Sequence, residues 1–314
     1  MKIYLAGTQS RPYVIDDYMK IYLAGGASGN NNAIWRTSKP EEAMKIFLSA
    51  PHSNNMKDGC DEHIQGEAMK IYLAGIKGHD YSLKDGKVLD QKICILESFY
   101  YIKDWMIPYI NKHWEFMLDS GAFTFMQNAK IRVDWDEYTE RYAQFIVKNN
   151  IQLFFELDID SVVGIKEVER LRAKLEHLTN KQSIPVWHIS RGKDYFLKMV
   201  DEYKYVAIGG LVGMGYKKEH HKYFNWFLQQ AKIKDVKVHG LGFTSHEGLK
   251  KYKFDSVDST AWLYGNRGGF VYVFRGGDMQ QIQAPPGKKL KSKDVAIHNF
   301  REWVKYQKYA RVNL

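Results

Sequence analysis

From Met69 onward, short apolar runs alternate with amphipathic stretches, and this alternation constrains the fold more than any other feature of the chain. Short runs rich in β-branched and aromatic residues are typical of buried strands, whereas the amphipathic stretches are typical of helices. One such helix begins with a capping box, formed by Asp134 and Glu137. Alternating elements imply parallel strands with right-handed crossovers, and eight such strands close a (β/α)₈ barrel, the TIM-barrel fold. The predicted strands lie at 70–73, 93–96, 116–118, 153–157, 185–189, 205–208, 236–241 and 254–257.

A heptapeptide repeat precedes this region. The sequence MKIYLAG occurs at 1–7, 19–25 and 69–75, and the variant MKIFLSA occurs at 44–50. The spacers are short, unlike one another and rich in Gly, Asn and Ser, which indicates duplication of a gene start rather than a solenoid. Only the last copy runs directly into the alternating region, so we predict that it forms the first barrel strand. The predicted organisation is an N-terminal extension at 1–68 and a barrel at 69–314 with a basic C-terminal tail.

Composition narrows the class of protein. The chain has 314 residues, of which 45% are hydrophobic, enough for one large core. The net charge of +10 favours a polyanionic partner such as nucleic acid, although a solvated basic surface would give the same balance. Two cysteines, Cys60 and Cys94, are too few for a disulfide framework or for a zinc site with three or four cysteines. Without a signal-like start or a membrane-length apolar run, we expect a cytoplasmic protein.

Candidate chemistry follows the predicted strands, because the C-terminal ends of barrel strands form the active-site mouth. Asp119, Asp158 and Asp258 all fall at such ends. Three carboxylates suit cleavage of an N-glycosidic bond, since one can attack C1′ and another can handle the proton of the base. Three simpler interpretations stay open at this point: aspartates as helix N-caps, Gly209–Gly210 as a tight turn, and His188 as a structural histidine.

Five motifs at these ends follow one another in order: DSGAF at 119–123, ELD at 156–158, AIGGL at 207–211, HGLGFT at 239–244, and the stretch from 258 to 268. Together they resemble the DSGGF, FDE, AIGGL, MGVGTP and FDCVLPTR-to-RNG segments of the tRNA-guanine transglycosylase superfamily. Within it, the chain is most similar to the phage- and genomic-island-encoded transglycosylases that insert 7-deazaguanine bases into DNA. The ordered matches run from about residue 69 to residue 269.

The resemblance implies a role for each matched residue. Asp258 would be the nucleophile that forms a covalent glycosyl-enzyme, and Asp119 would be the general acid/base. Asp255 stays an alternative nucleophile, because FDS at 254–256 also resembles FDC, although the spacing to Arg267 favours Asp258. The implied substrate-binding residues are Ser120, Gly121, Phe123, Asp158, His188, Gly209, Gly210, Leu211, Gly240 and Gly242.

The polymer is predicted from one difference between this chain and the tRNA enzymes. The tRNA enzymes carry a zinc site of three cysteines and a histidine, but no cysteine follows Cys94 here. The resemblance therefore implies DNA rather than tRNA, with no metal and no cofactor. A guanine must be flipped out or single-stranded to reach a barrel mouth. The candidate nucleic-acid contacts are Trp262, Asn266, Arg267, Lys250, Lys251 and Lys253, with core packing or solvated loops as the alternatives.

We therefore predict an enzyme that replaces guanine in DNA with a free 7-deazaguanine (preQ0-like) base. It would act in the host cytoplasm if a phage encodes it, and a homodimer is one assembly that the resemblance implies. Three alternatives remain: a zinc-free tRNA transglycosylase, a catalytically silent nucleic-acid-binding barrel, and an unrelated barrel hydrolase that leaves abasic sites.

Overall fold

The computed structural model describes residues 3–4, 20–22, 35–36, 69–76, 92–126, 133–210, 221, 223–243, 245–265, 269–285 and 290–314. The chain divides into two compact units, Met1–Gln65 and Gly66–Leu314. In the first unit, the described strands are Ile3–Tyr4, Lys20–Tyr22 and Trp35–Arg36. The first of these pairs with the second in parallel, and the second pairs with the third in antiparallel orientation.

The second unit is a barrel of parallel strands. Its strands are β1 Lys70–Ala74, β2 Ile93–Ser98, β3 Trp114–Asp119, β4 Leu153–Phe154, β5 Val186–Trp187, β6 Tyr205–Ile208, β7 Lys237–Gly240 and β8 Ser256–Ser259. Their order in the sheet is β4-β3-β2-β1-β8-β7-β6-β5. A parallel bridge between Phe155 and Ile184 joins β4 to β5 and so closes the ring. The predicted (β/α)₈ barrel is confirmed.

Helices connect the strands. They are α1 Ile107–Lys112, α2 Ala122–Met126, α3 Trp135–Lys148, α4 Asp160–Val163, α5 Ile165–Thr179, α6 Gly192–Glu202, α7 Phe224–Ile233, α8 His246–Lys251 and α9 Ser292–Asn313. The predicted cap is present, since the Asp134 side chain accepts a 3.0 Å hydrogen bond from the Glu137 N–H. Before α9 the chain forms a hairpin of β9 Phe270–Arg275 and β10 Asp278–Gln283. No described helix is long and apolar enough to cross a bilayer.

Side-chain alternation along the strands separates an inner core from an outer one. In β1, Ile71 and Leu73 join the large cluster that includes the helices, whereas Tyr72 and Ala74 join a cluster built from strand residues. The MKIYLAG copy at 69–75 thus forms the first barrel strand, as predicted, and pairs with β2 and β8. The same alternation in β8 sends Val257 to the outer cluster, so Asp258 points into the barrel.

We expect a chain that starts at Met69 to fold and to keep its activity, because the complete ring of strands lies within residues 70–259. Circular dichroism and thermal melting of the truncated and full chains check folding, and the base-exchange assay described below checks activity. A truncated chain that melts like the full one but has lost exchange would contradict this expectation.

Candidate active site

Three carboxylates meet at the C-terminal end of the barrel. Asp119 is the last residue of β3, Asp158 follows β4, and Asp258 lies near the end of β8. The negative charges of Asp158 and Asp258 both contribute to raising the pKa of Asp119, which places the three groups within electrostatic reach of one another. The structure therefore brings together the three aspartates that the motifs single out.

Asp258 is held through one of its two carboxylate oxygens. Oδ1 accepts hydrogen bonds from the Gly242 N–H at 2.7 Å and from His239 Nε2 at 3.2 Å. Among the described residues, no group donates a hydrogen bond to Oδ2. Gly242 has φ +70°, a left-handed conformation that favours glycine, and in this turn its N–H points at the carboxylate. The side chain is thus oriented through Oδ1.

Asp119 has the properties of a proton donor and acceptor near neutral pH. Burial raises the pKa of its carboxyl to about 7, opposed by a hydrogen bond from the Gly121 N–H and reinforced by the neighbouring carboxylates. That bond is 3.0 Å long. A general acid/base works best when its pKa lies near the operating pH.

The turn after Asp119 is tightly packed. Gly121 has φ +77°, and a Cβ there would lie 2.6 Å from Ser98 Oγ, so no other residue fits without displacement. Ser120 is buried, and its carbonyl accepts a 2.5 Å hydrogen bond from the Tyr138 hydroxyl. Both residues shape the loop that carries Asp119. The side chain of Phe123 lies outside the described part of the structure.

Asp158 and His188 form a pair across the mouth. His188 Nε2 lies 2.7 Å from Asp158 Oδ1. Burial lowers the pKa of His188, but the hydrogen bond and the charge of Asp158 outweigh burial, so the net pKa is raised. His188 and Asp158 therefore place an imidazole and a carboxylate side by side at this side of the mouth.

The two glycines after β6, Gly209 and Gly210, lie directly against the ring of His188. A Cβ on Gly209 would come within 2.6 Å of His188 Cε1 and 2.7 Å of Val186 Cγ1, and one on Gly210 would come within 3.1 Å of His188 Nδ1. Close approach of side chains, and not only a turn, accounts for the Gly-Gly pair. Gly240 plays a similar packing role, because a Cβ there would lie 3.2 Å from Phe243 and Phe254. Leu211 lies outside the described residues.

Arg191 lies between Asp158 and a network of buried ion pairs. Its guanidinium binds Asp160 at 2.9 Å and Glu156 at 2.9 Å, and its Nη2 lies 3.7 Å from Asp158 Oδ1. Glu156 is fully buried and also pairs with Arg172 at 2.8 Å. Glu156, the first residue of the ELD motif, therefore anchors the loop and does not face the substrate.

One described group could offer ligands to a metal ion. The donor atoms of Asp158, Asp160 and His188 all lie within 4.8 Å of one another. The Arg191 guanidinium already pairs with both carboxylates, however, and supplies the positive charge there. This donor set therefore fits an ion-pair network with Arg191 better than a metal site.

The structure corrects the interpretation of Trp262. Its side chain is fully buried, its Nε1–H donates a 2.9 Å hydrogen bond to the Ala74 carbonyl, and its ring packs against Phe300 with centroids 5.3 Å apart. An indole in this position cannot stack on a base, so the prediction that it contacts nucleic acid is wrong. Trp262 instead joins the end of β1 to α9.

The structure also corrects the prediction for three lysines, Lys250, Lys251 and Lys253. Helix α8 starts after the C-terminal end of β7 and ends at Lys251, just before β8 begins, so these lysines lie at the opposite end of the barrel from the carboxylates. Lys250 pairs with Asp278 at 2.6 Å, and Lys253 donates to the Leu314 carbonyl at 3.1 Å. Their predicted nucleic-acid contact at the mouth is wrong.

The remaining predicted contacts, Asn266 and Arg267, lie outside the described residues. Asp255 precedes β8 at the N-terminal end of the barrel, and its carboxylate accepts a 2.6 Å hydrogen bond from the Val238 N–H. It does not face the mouth, so the structure removes Asp255 as the alternative nucleophile.

Sequence reasoning missed His239. His239 belongs to the HGLGFT motif, but the motif alone predicts no role for it. In the structure its fully buried ring contacts Asp258 directly. Strand alternation offered a signal, because His239 and Asp258 both occupy inward positions on neighbouring strands.

Comparisons with known proteins found likenesses of architecture. No known protein-family profile matches the sequence, and no curated protein matches it. Among solved structures, a protein from Coccidioides immitis described as a candidate fructose-1,6-biphosphate aldolase matches with a TM-score of 0.42 and 10% identity, over 78% of this chain and 87% of that one. The carboxyl transferase domain from Rhizobium etli pyruvate carboxylase matches with a TM-score of 0.39 and 10% identity, over 79% of this chain and 48% of that one.

Proposed function

We propose that this barrel is a guanine transglycosylase that exchanges guanine in DNA for a free 7-deazaguanine base. One observation carries the proposal: Asp258 is fixed through Oδ1 with no described donor on Oδ2, and its charge contributes to raising the pKa of Asp119 to about 7. A positioned carboxylate nucleophile beside a carboxyl that can donate or accept a proton is what displacement at C1′ requires.

The first half-reaction releases guanine. Asp258 Oδ2 forms a bond to C1′ while the bond from C1′ to N9 of guanine breaks, and the electron pair of that bond goes to the base. Protonated Asp119 supplies the proton that the departing guanine takes up. The products are neutral guanine, an Asp119 carboxylate and an ester between Asp258 and the deoxyribose.

The second half-reaction restores the polymer. The Asp119 carboxylate accepts the N9 proton of the incoming base, whose N9 then attacks C1′ as the bond from C1′ to Asp258 Oδ2 breaks. Asp258 returns to a carboxylate and Asp119 to its protonated form, so the cycle balances. A pKa near 7 suits both duties of Asp119, because the group must give up a proton in one half and take one in the other.

Asp158 and His188 supply recognition in this proposal. Guanine and 7-deazaguanine share an amino and ring N–H edge with a neighbouring carbonyl, and a carboxylate beside an imidazole offers an acceptor and a donor for that edge. The His188 ring packs against the Gly209–Gly210 backbone, so this wall of the pocket is fixed. The net charge of +10 supports a nucleic-acid partner, and the missing zinc cysteines make DNA the proposed polymer in place of tRNA.

The first experiment offers ¹⁴C-labelled guanine with duplex DNA, single-stranded DNA and bulk tRNA, followed by nucleoside digestion and chromatography. We expect label in DNA and competition by unlabelled 7-deazaguanine bases. Label only in tRNA would overturn the choice of polymer, while abasic sites without label would indicate a hydrolase. Binding to DNA without label or abasic sites would indicate a silent nucleic-acid-binding barrel and overturn the proposal.

A further inference from the structure

A chain of polar side chains crosses the interior of the barrel and ends on Asp258. The Tyr205 hydroxyl lies 2.5 Å from Ser256 Oγ, and Ser256 Oγ contacts His239 Nδ1 in a short hydrogen bond. His239 Nε2 then lies 3.2 Å from Asp258 Oδ1. The four residues come from three adjacent strands, β6, β7 and β8, and Ser256 and His239 are fully buried.

The direction of these hydrogen bonds follows from what each atom can do. An ionised Asp258 only accepts, so His239 carries its hydrogen on Nε2. Nδ1 of the neutral ring must then accept, which makes the Ser256 hydroxyl the donor to it. Ser256 Oγ in turn accepts from the Tyr205 hydroxyl. The sequence of bonds is self-consistent with a neutral histidine in a single tautomer, and a buried polar chain of this kind is stable only when each member is satisfied.

Aromatic rings confine the imidazole as well. The ring of Phe155 lies 5.4 Å from that of His239 between centroids, and Tyr72 meets it edge-on at 6.0 Å. With both nitrogens bonded and two rings packed around it, the imidazole has no room to rotate. It is also fully buried beneath Asp258, so it does not reach the mouth itself.

We infer that His239 is the positioning residue for the nucleophile, with its tautomer set by Ser256 and Tyr205; this inference rests on the proposed function. His239 and the Gly242 N–H both hold Oδ1, and this turns Oδ2 toward the site where C1′ is bound. The same two donors stabilise the carboxylate as it leaves C1′ in the second half-reaction. Hydrogen bonds from outside the reacting shell orient a reacting group in this way in many sites, and their loss typically reduces function by about 10- to 100-fold.

The test compares full-length wild type with His239→Leu, His239→Gln and Ser256→Ala, first confirming equal thermal melting. Single-turnover formation of the glycosyl-enzyme on guanine-containing DNA is followed by intact mass. We expect His239→Leu to slow this step by about 100-fold with little change in the KM for DNA. We expect His239→Gln to recover about 10-fold, because its amide N–H can reach Oδ1 and donate to it. Folded Leu and Gln variants with equal rates, whether fast or slow, would overturn the inference.

A second readout does not depend on the reaction. In ¹⁵N-histidine NMR, the signal that disappears in His239→Gln identifies His239 among the eleven histidines. We expect a neutral Nε2–H tautomer whose shifts move in both Asp258→Ala and Ser256→Ala. A protonated ring, the Nδ1–H tautomer, or shifts insensitive to Asp258→Ala would overturn the inference. If wild type shows this tautomer but exchanges no base, the proposed function fails while the hydrogen-bond chain stands.

Discussion

Asp258→Asn is expected to abolish base exchange and to eliminate the covalent glycosyl-enzyme. An amide oxygen is a poor nucleophile, yet asparagine has the same shape, and its Oδ1 can still accept from Gly242 and His239. The fold should therefore survive while the rate falls by about 10⁴-fold or more, the order seen when a catalytic nucleophile is removed. Intact-mass measurement of the enzyme after mixing with guanine-containing DNA checks adduct formation, and label incorporation checks exchange.

The chain provides a matched control for this variant. Asp255 lies three residues earlier, and its carboxylate accepts a hydrogen bond from the Val238 N–H at the other end of the barrel. Asp255→Asn should keep that bond and should form adduct at close to the wild-type rate. Adduct in Asp258→Asn together with none in Asp255→Asn would exchange the roles of the two residues and refute the geometry proposed here.

Asp119→Asn is expected to have opposite effects on activity and on stability. Removing the general acid/base should lower the exchange rate by about 10²- to 10⁴-fold. Stability changes because burial raises the pKa of Asp119 to about 7, from about 3.8 for an ordinary aspartate. The folded state holds the Asp119 proton more tightly than the unfolded state does, so this proton contributes to the free energy of unfolding. The contribution is fully present below about pH 3.8 and is lost as the pH rises through 7. Asparagine cannot ionise, so the variant keeps this contribution to stability at high pH.

The free energy of unfolding gives the size of this effect. One pKa unit corresponds to about 1.4 kcal/mol, which would allow about 4 kcal/mol for a shift of this size. Asp119 is only partly shielded from solvent, so we expect about 1–2 kcal/mol more stability for Asp119→Asn at pH 8, and little difference near pH 4. Urea denaturation at both pH values measures it. Asp201→Asn, at an exposed carboxylate on α6, serves as the control and should change stability by less than about 0.5 kcal/mol. A pH-independent difference for Asp119→Asn would contradict the assigned cause.

Local pattern was enough to predict the barrel. Alternating apolar runs located the strands, and the alternation of side chains along β8 indicates from sequence that Asp258 and Val257 face opposite sides. The Asp134 cap was predictable because its partner, Glu137, lies three residues away. Each of these features depends on a few neighbouring residues, which is the range over which sequence patterns are informative.

Features that depend on register between strands were not predictable in this way. Tyr205, His239 and Ser256 come together only because β6, β7 and β8 align their inward positions side by side. Trp262 lies within the motif that starts at 258, but the chain turns there and inserts its indole between β1 and α9. Lys250 and Lys251 follow the HGLGFT motif in the sequence, but α8, a helix of six residues, is enough to carry them to the far end of the barrel.

The ion pairs of Arg191 connect Asp158, the residue proposed to recognise the base, to the buried residues that hold the pocket together. One guanidinium, 2% exposed, faces Glu156, Asp158 and Asp160, and so the carboxylate proposed to read the base also takes part in neutralising a buried cation. Breaking a buried ion pair on one side typically costs about 3–5 kcal/mol. Substitution at position 158 would remove only the longest of the three contacts, since Glu156 and Asp160 would still pair with Arg191 at 2.9 Å, so this cost would arise at position 156 and not at position 158. Base preference can therefore be varied at position 158 while Arg191 and its two buried partners keep the wall of the pocket in place.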